Sequence, residues 1–401
     1  MDESSLPAHP EPVLPDDADS ATLVGRVLDP EAGPCVVVVR GDRLADITAD
    51  AVTMSMLIER PDPVALARAA GPSRTWPLRD VLAATAAGAA GPRLLAPIDL
   101  QVIKAAGVTY VDSMLERVIE ERAAGDPGRA AALREQLGAV IGGAISSVRP
   151  GSPEAARAKE ALVREGLWSQ YLEVGIGPLP ELFTKAPVLS AVGTGVPVGV
   201  LAASEWNNPE PELVLVADSA GRPRGATLGN DVNLRDLEGR SALLLGEAKD
   251  NNGSCAIGPF LRLFDQRYTV DDARDTEIEL RITGRDDGFQ LRATNSVGRI
   301  SRSFEELLAH VVGPHHQYPD GFALFTGTLF APTQDRGAPG QGFTHRPGDV
   351  VTISAPALGT LANVVTTSEA APPWEAGIGA LFTSLARRGL LDGARPRPGV
   401  G

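Results

Sequence analysis

The apolar run Leu213-Val214-Leu215-Val216-Ala217 has the length of a strand and no polar position to turn toward water, so it reads as a strand buried on both faces. Asp218-Ser219-Ala220-Gly221 is turn chemistry, and it leads to a return strand near residues 225–228. Residues 276–283 behave differently: Glu277, Ile278, Glu279, Leu280, Arg281 and Ile282 alternate, and after Arg285-Asp286-Asp287-Gly288 a second strand returns through Leu291. That is a half-buried hairpin with one wet face. Further strands are expected at residues 35–39, 98–103, 324–329, 350–354 and 361–367. Helical periodicity marks residues 64–70, 78–87, 112–121, 130–141, 153–165, 304–311 and 378–388. Residues 153–165 carry the clearest boundaries, with Ser152 as N-cap, Pro153 at the first position and Gly166 just past the end. Strand runs mixed with helices in this order predict an α+β fold dominated by antiparallel pairing.

Turn and composition signals divide the chain. Residues 1–20 are acidic and proline-rich and read as a disordered tail. Residues 21–94 form a small β-rich N-terminal domain, and Gly91-Pro92-Arg93-Leu94-Leu95-Ala96-Pro97 is the boundary to a larger domain at 95–392, followed by a flexible C-terminus at 393–401. With 43% hydrophobic residues but only 4% aromatic, the cores rest on Val, Leu, Ile and Ala. A formal charge of -14 without a basic stretch excludes a nucleic-acid partner, and no uncharged apolar run is long enough to span a bilayer. Cys35 and Cys255 form no CxxC pair, and no signal peptide opens the chain, so a cytoplasmic location without a membrane partner is expected.

The chemistry gathers around Trp206-Asn207-Asn208-Pro209-Glu210-Pro211-Glu212. Glu210 and Glu212 are two apart, so an extended backbone sends both side chains to one face, and the return strand brings Asp231 beside them. Three carboxylates next to an apolar strand repel one another and are costly to desolvate unless a cation sits among them. Oxygen ligands suit a hard ion, Mg2+ or Mn2+. Lys249, in Lys249-Asp250-Asn251-Asn252, is either loop solubility or, beside a metal and partly desolvated, a base of lowered pKa. Lys185 is either a solvated lysine at a strand end or a contact to substrate or to the acidic cluster. Ser113 and Glu116 fit a Ser-x-x-Glu capping box. His315 and His316 are adjacent and diverge, a poor metal pair, and their loop is expected to reach substrate hydroxyls through His316, Gln317 or Tyr318, the alternative being a purely structural role. Thr328 offers a hydroxyl at the end of a buried strand.

Pro209-Glu210-Pro211-Glu212, Gly229-Asn230-Asp231, Arg235-Asp236, Lys249 and Thr326-Gly327-Thr328 come in the order and spacing of the fumarylacetoacetate hydrolase superfamily, which residues 95–390 resemble. Leu95-Ala96-Pro97-Ile98-Asp99-Leu100-Gln101, Gly166-Leu167-Trp168-Ser169-Gln170-Tyr171, Trp206-Asn207-Asn208 and His316-Gln317-Tyr318-Pro319-Asp320-Gly321 look more closely like the bacterial 2-keto-3-deoxy-pentonate dehydratases. The resemblance implies a mostly antiparallel β-sandwich roll and a homodimer or homotetramer. It also implies an Mg2+ or Mn2+ site at Glu210, Glu212 and Asp231, Lys249 as base and Thr328 as substrate anchor. Hydrolases of the superfamily carry a His-and-Glu pair that activates water, whereas this chain keeps Glu116 and has Ser113 in the histidine's place. That departure favours dehydration of a 2-keto-3-deoxy sugar acid, with Glu116 as proton shuttle and capping compatible with it. The alternatives are an acylpyruvate or β-diketone hydrolase on the same metal site and a non-catalytic sugar-acid binding protein.

Overall fold

Pro211–Ala217 is buried at every position, and its alternate side chains enter two different cores. The computed structural model describes residues 13–124, 126, 128–135, 145, 148–329, 334–337 and 342–391. Leu213 and Leu215 pack toward Ile278, Leu280, Val351, Ile353 and Leu361, while Val214 and Val216 pack with Ile257, Leu261, Phe325 and the helix Met54–Ile58. The period of two along a strand is the reason, since neighbours in sequence point to opposite faces. The strand therefore sits in the middle layer. On one side of it lies a five-stranded sheet that includes Glu277–Thr283, Gln290–Ser296, Val350–Ala355 and Gly359–Thr367.

Pro211–Ala217 itself belongs to an eleven-stranded mixed sheet, between Pro223–Asp231 and Phe322–Phe325. Beyond Phe322–Phe325 come Val102–Gly107, paired parallel, and then Glu181–Ala186. Beyond Pro223–Asp231 come Cys255–Leu263 and the N-terminal strands Leu23–Asp29, Gly33–Arg40, Arg43–Asp46 and Thr75–Pro77. All strand pairings but two are antiparallel among the described residues. The α+β expectation holds.

The N-terminal strands are not set apart as the sequence suggested. Leu23 pairs with Arg262 and Val24 with Leu261, so the same sheet runs through both parts, and Val24, Val36 and Ala45 share a core with Val214 and Phe325. Residues 13–20 also depart from the expected tail. Val13 is buried and its carbonyl accepts the Thr360 N–H at 3.1 Å, and Asp17 pairs with Arg262 at 2.6 Å. Arg262 is buried on a sheet strand and is stabilised by a carboxylate partner, which Asp17 supplies. Residues 1–12 and 392–401 lie outside the described residues.

Most helices fall where periodicity placed them: Pro63–Ala69, Leu78–Ala86, Pro153–Arg164, Phe304–Val311 and Ile378–Arg387. Ser152 caps as expected, its hydroxyl accepting the Ala155 N–H at 3.1 Å. The helix predicted at 130–141 is described only to residue 135. Two boundaries shift: the strand expected at 98–103 is Val102–Gly107, and the one at 324–329 is Phe322–Phe325. The Ser113–Glu116 capping box does not form. The helix Val111–Ala123 begins three residues earlier than that box requires, with Tyr110 at the N-cap, so Ser113 lies inside the first turn and donates to the Tyr110 carbonyl at 3.1 Å.

Leu215 is fully buried between the two sheets, whereas Leu243 is 95% exposed. Leu215→Ala is expected to destabilise by about 3 kcal/mol, the range of a buried leucine deletion. Leu243→Ala should leave the thermal unfolding midpoint within error, so comparing the two melting curves checks the layer assignment.

Candidate metal and catalytic site

Six neighbouring strands of the large sheet bring the same end to one small cavity. The chain enters Pro211–Ala217 from Glu210, leaves Pro223–Asp231 at Asp231, enters Cys255–Leu263 after Lys249, and leaves Phe322–Phe325 toward Gly327. It also leaves Val102–Gly107 at Gly107 and enters Glu181–Ala186 at Glu181. The cavity holds about 20 Å³, room for about one water.

Backbone register sets the carboxylates. Pro211 lies opposite Asn230, the Asp231 N–H donates to the Glu210 carbonyl at 3.0 Å, and the Asn230 side chain accepts the Glu210 N–H at 3.1 Å. Glu210, Glu212 and Asp231 are all buried, and ligand oxygens from the three lie within 4.8 Å of one another. The Gly327 N–H reaches Glu212 Oε2 at 2.6 Å. Gly327 can approach because its φ is +98° and it has no Cβ, which would stand 1.9 Å from Thr109 Oγ1.

Charge around the cavity is unbalanced. Glu181, Glu210, Glu212, Asp231 and Glu238 line it against Arg117 and Lys249. Lys249 Nζ donates to Glu210 at 2.6 Å and to Asp231 at 3.1 Å, and Lys185, fully buried, pairs with Asp231 at 2.8 Å. Arg117 reaches Glu210 at 2.6 Å and Glu238 at 2.9 Å. Burial raises Asp231, but Lys185 and Lys249 outweigh it and hold the carboxyl below its ordinary range. Glu212 has the reverse balance: burial, then Asp231 and Glu210, push it well above, and only the Gly327 N–H and Lys249 act against them. An oxygen-only set of three carboxylates, one of them under-neutralised, fits a hard divalent ion. Glu210, Glu212 and Asp231 are the residues to hold it.

Glu181 is set apart from the other four. Burial first and Glu238 second raise it to about 7, against Arg117 and Lys249. Its carboxylate lies over Gly107, where a Cβ would meet Glu181 Oε2 at 2.1 Å. A glycine at 107 thus leaves the space that lets Glu181 reach the cavity.

The sequence expectations divide accordingly. Glu210, Glu212, Asp231, Lys249 and Thr328 line the cavity, and Lys185 touches it through Asp231. Lys249 differs in charge from the expected lowered pKa. Burial pulls its ammonium down, but Asp231 and Glu210, with Glu238, hold it well above the ordinary lysine range. Glu116 does not line the cavity; Arg134 binds it through two hydrogen bonds of 2.7 and 2.6 Å. Its helix offers Ser113 and Arg117 to the cavity instead. His316, Gln317 and Tyr318 are also elsewhere. Phe322 pairs with Ala217, so this loop leads into the end of Pro211–Ala217 opposite Glu212, roughly 17 Å along a strand. His316 stacks on Tyr318 with ring centroids 4.5 Å apart, and the Gln317 amide donates to the Gly313 carbonyl at 3.0 Å. Arg117, Glu181 and Glu238 were missed. Their positions carry no spacing signal, and only the meeting of three separate elements brings them together.

With this geometry in view, the comparisons are specific. Residues 177–366 match the fumarylacetoacetate (FAA) hydrolase C-terminal family. The chain is 34% identical over 182 residues to the 2-dehydro-3-deoxy-D-arabinonate dehydratase of Saccharolobus solfataricus, covering 45% of this chain and 57% of that protein. It is 36% identical over 200 residues to the probable 2-keto-3-deoxyxylonate dehydratase of Haloferax volcanii, covering 49% of this chain and 64% of that one. The chain thus spans about three-fifths of the length of the curated relatives it matches. Its fold resembles a solved 2-keto-3-deoxy-D-arabinonate dehydratase complexed with magnesium and 2,5-dioxopentanoate. The TM-score is 0.61 at 22% identity, over 86% of this chain and 99% of that one.

Glu212→Gln tests the ion site directly. It keeps an acceptor for the Gly327 N–H while removing a buried, poorly compensated charge. The chelator-treated variant is expected to melt no lower than the chelator-treated parent, yet to bind Mn2+ at least about tenfold more weakly in a titration followed by electron paramagnetic resonance.

Proposed function

We propose that this protein is a metal-dependent hydro-lyase that converts a 2-keto-3-deoxypentonate to 2,5-dioxopentanoate and water. The observation that carries the reading is the pairing, in one buried cavity, of the Glu210, Glu212 and Asp231 set with Lys249 and with a Glu181 raised to about 7. The named activities of the two curated relatives support the substrate class.

Glu210, Glu212 and Asp231 would hold Mg2+ or Mn2+, which would supply Lewis-acid chemistry to acidify C3 of a 2-keto acid. In the present arrangement Lys249 is an ammonium, held by Glu210 and Asp231. Lys249 would act as base after passing its own proton to a neighbouring carboxylate, Glu210 or Asp231, and its neutral amine would then take a C3 proton. Glu181 carries a proton for about half the time near neutral pH and can give it to the C4 hydroxyl as that group leaves as water. Loss of one C5 proton and of the C5 hydroxyl proton, with one proton returned to C3 and one to C4, then turns the allylic alcohol into the terminal aldehyde. Arg117 and Thr328, both at the cavity wall, orient the substrate's polar groups. Glu181 takes the shuttle role that the sequence assigned to Glu116.

Among the described residues no histidine lines the cavity, which weighs against the acylpyruvate or β-diketone hydrolase reading. The dense set of buried ionic groups weighs against a non-catalytic sugar-acid binding protein. Assembly as a homodimer or homotetramer and a cytoplasmic location complete the proposal. No helix among the described residues is long and apolar enough to cross a membrane.

The test is a proton-NMR time course of chelator-treated protein with 2-keto-3-deoxy-D-xylonate, with and without Mg2+, and with an acylpyruvate in parallel. Aldehyde and hydrate signals that need both the sugar acid and Mg2+ are expected, while cleavage of the acylpyruvate alone would replace the dehydratase by the hydrolase. In the same assay Glu181→Gln should lower kcat by about 10² to 10⁴ and Glu116→Gln by no more than a few fold. The reverse ranking would restore Glu116 to the chemistry.

A further inference from the structure

A file of alternating charges runs from the helix Val111–Ala123 into the ion site. Arg134 binds Glu116, whose carboxylate is 3.7 Å from Arg235. Arg235 Nε donates to Glu120 at 2.7 Å, and Glu120 accepts from Arg117 Nη1 at 2.9 Å. The other terminal nitrogen of Arg117 meets Glu210 at 2.6 Å, and Glu210 accepts from Lys249 through its second oxygen at 2.6 Å. Glu120 is the junction, because it touches both Arg117 and Arg235. It lies one helical turn from Arg117, and Arg235 comes from the segment just beyond Asp231 and stacks over the Trp206 ring at 4.3 Å. Trp206 in turn opens the segment that carries Glu210 and Glu212.

Glu120 and Arg235 are both buried, and their charges cancel. A buried ion pair of this kind adds little stability over a well-packed apolar pair, so stability alone does not account for it. Its geometric effect is definite. Glu120 and Glu238 together hold Arg117 Nη1, each at 2.9 Å, which leaves the other terminal nitrogen on Glu210 Oε1 and Glu210 Oε2 facing Lys249.

We propose that Glu120 is a positioning residue of the ion site: held by Arg235, it orients Arg117 and through it the ligand carboxylate of Glu210. The inference rests on the reading of Glu210, Glu212 and Asp231 as an ion site. Removing the Glu120 carboxylate leaves Glu238 as the remaining anchor of Arg117 Nη1, which draws the guanidinium toward Glu238 and changes how it meets Glu210. Outer partners of metal ligands typically govern affinity by a factor of 10 to 100.

Mn2+ binding by electron paramagnetic resonance tests this without a substrate. The paired replacement Glu120→Met with Arg235→Met removes both charges together and is expected to fold, with a melting midpoint close to that of the parent. Its Mn2+ affinity should fall about tenfold or more, and Arg117→Lys added to it should cost little further, because the two act in one line. The single change Arg235→Lys, which keeps the charge at Glu120, should retain most of the affinity. An unchanged affinity in the paired variant, with a parent that binds Mn2+, overturns the positioning role and leaves the ion site standing. Full additivity with Arg117→Lys overturns it too. A parent that binds no Mn2+ overturns the ion site itself, and this inference with it.

Discussion

Everything near the cavity follows from the burial of Glu210, Glu212 and Asp231 within 4.8 Å of one another. A folded chain tolerates such a group only if positive charge or oriented N–H donors come to meet it. Lys185, Lys249, Arg117 and the Gly327 amide do so from four different elements. The compensation is incomplete, since five carboxylates face two cations at the cavity wall.

The sheet makes the meeting possible. Pro211–Ala217 is buried on both faces, so it cannot shift register without forcing polar positions into a core. With that strand held, its antiparallel neighbours deliver Asp231 and the Thr326-Gly327-Thr328 segment to the same end. The parallel strand Val102–Gly107 ends there too, and its continuation becomes the helix that carries Ser113, Arg117 and Glu120. Rigidity comes from the two cores, and the chemistry stands at their edge. This is the arrangement in which side chains are placed most reproducibly.

The two acid candidates show how environment separates like groups. Glu116 and Glu181 are both glutamates near the site in the fold, yet Glu116 is gripped by Arg134 while Glu181 sits beside Glu238 and is raised to about 7. A carboxyl that stays partly protonated at neutral pH can donate a proton, whereas the Glu116 carboxylate is engaged by Arg134 and does not line the cavity. Lys249 shows the converse, a buried amine whose carboxylate neighbours override burial.

Local pattern alone determined the doubly buried strand, the Glu210, Glu212 and Asp231 set, the polar loop of Lys249 and most helices, because periodicity of two or 3.6 and short turns act over a few residues. It also offered the capping box at Ser113, which an earlier helix start removes, and the reach of His316, Gln317 and Tyr318 and a lowered Lys249, which depend on partners distant in sequence. The pairing of Phe322 with Ala217 sends the His316 loop to the far end of the sheet, and Arg134 withdraws Glu116. The joining of Leu23–Asp29 to Cys255–Leu263 likewise merges what looked like a separate N-terminal domain into one sheet. Only the tertiary structure could select Arg117, Glu181 and Glu238, since charge and burial at a site are sums over neighbours that no spacing along the chain records.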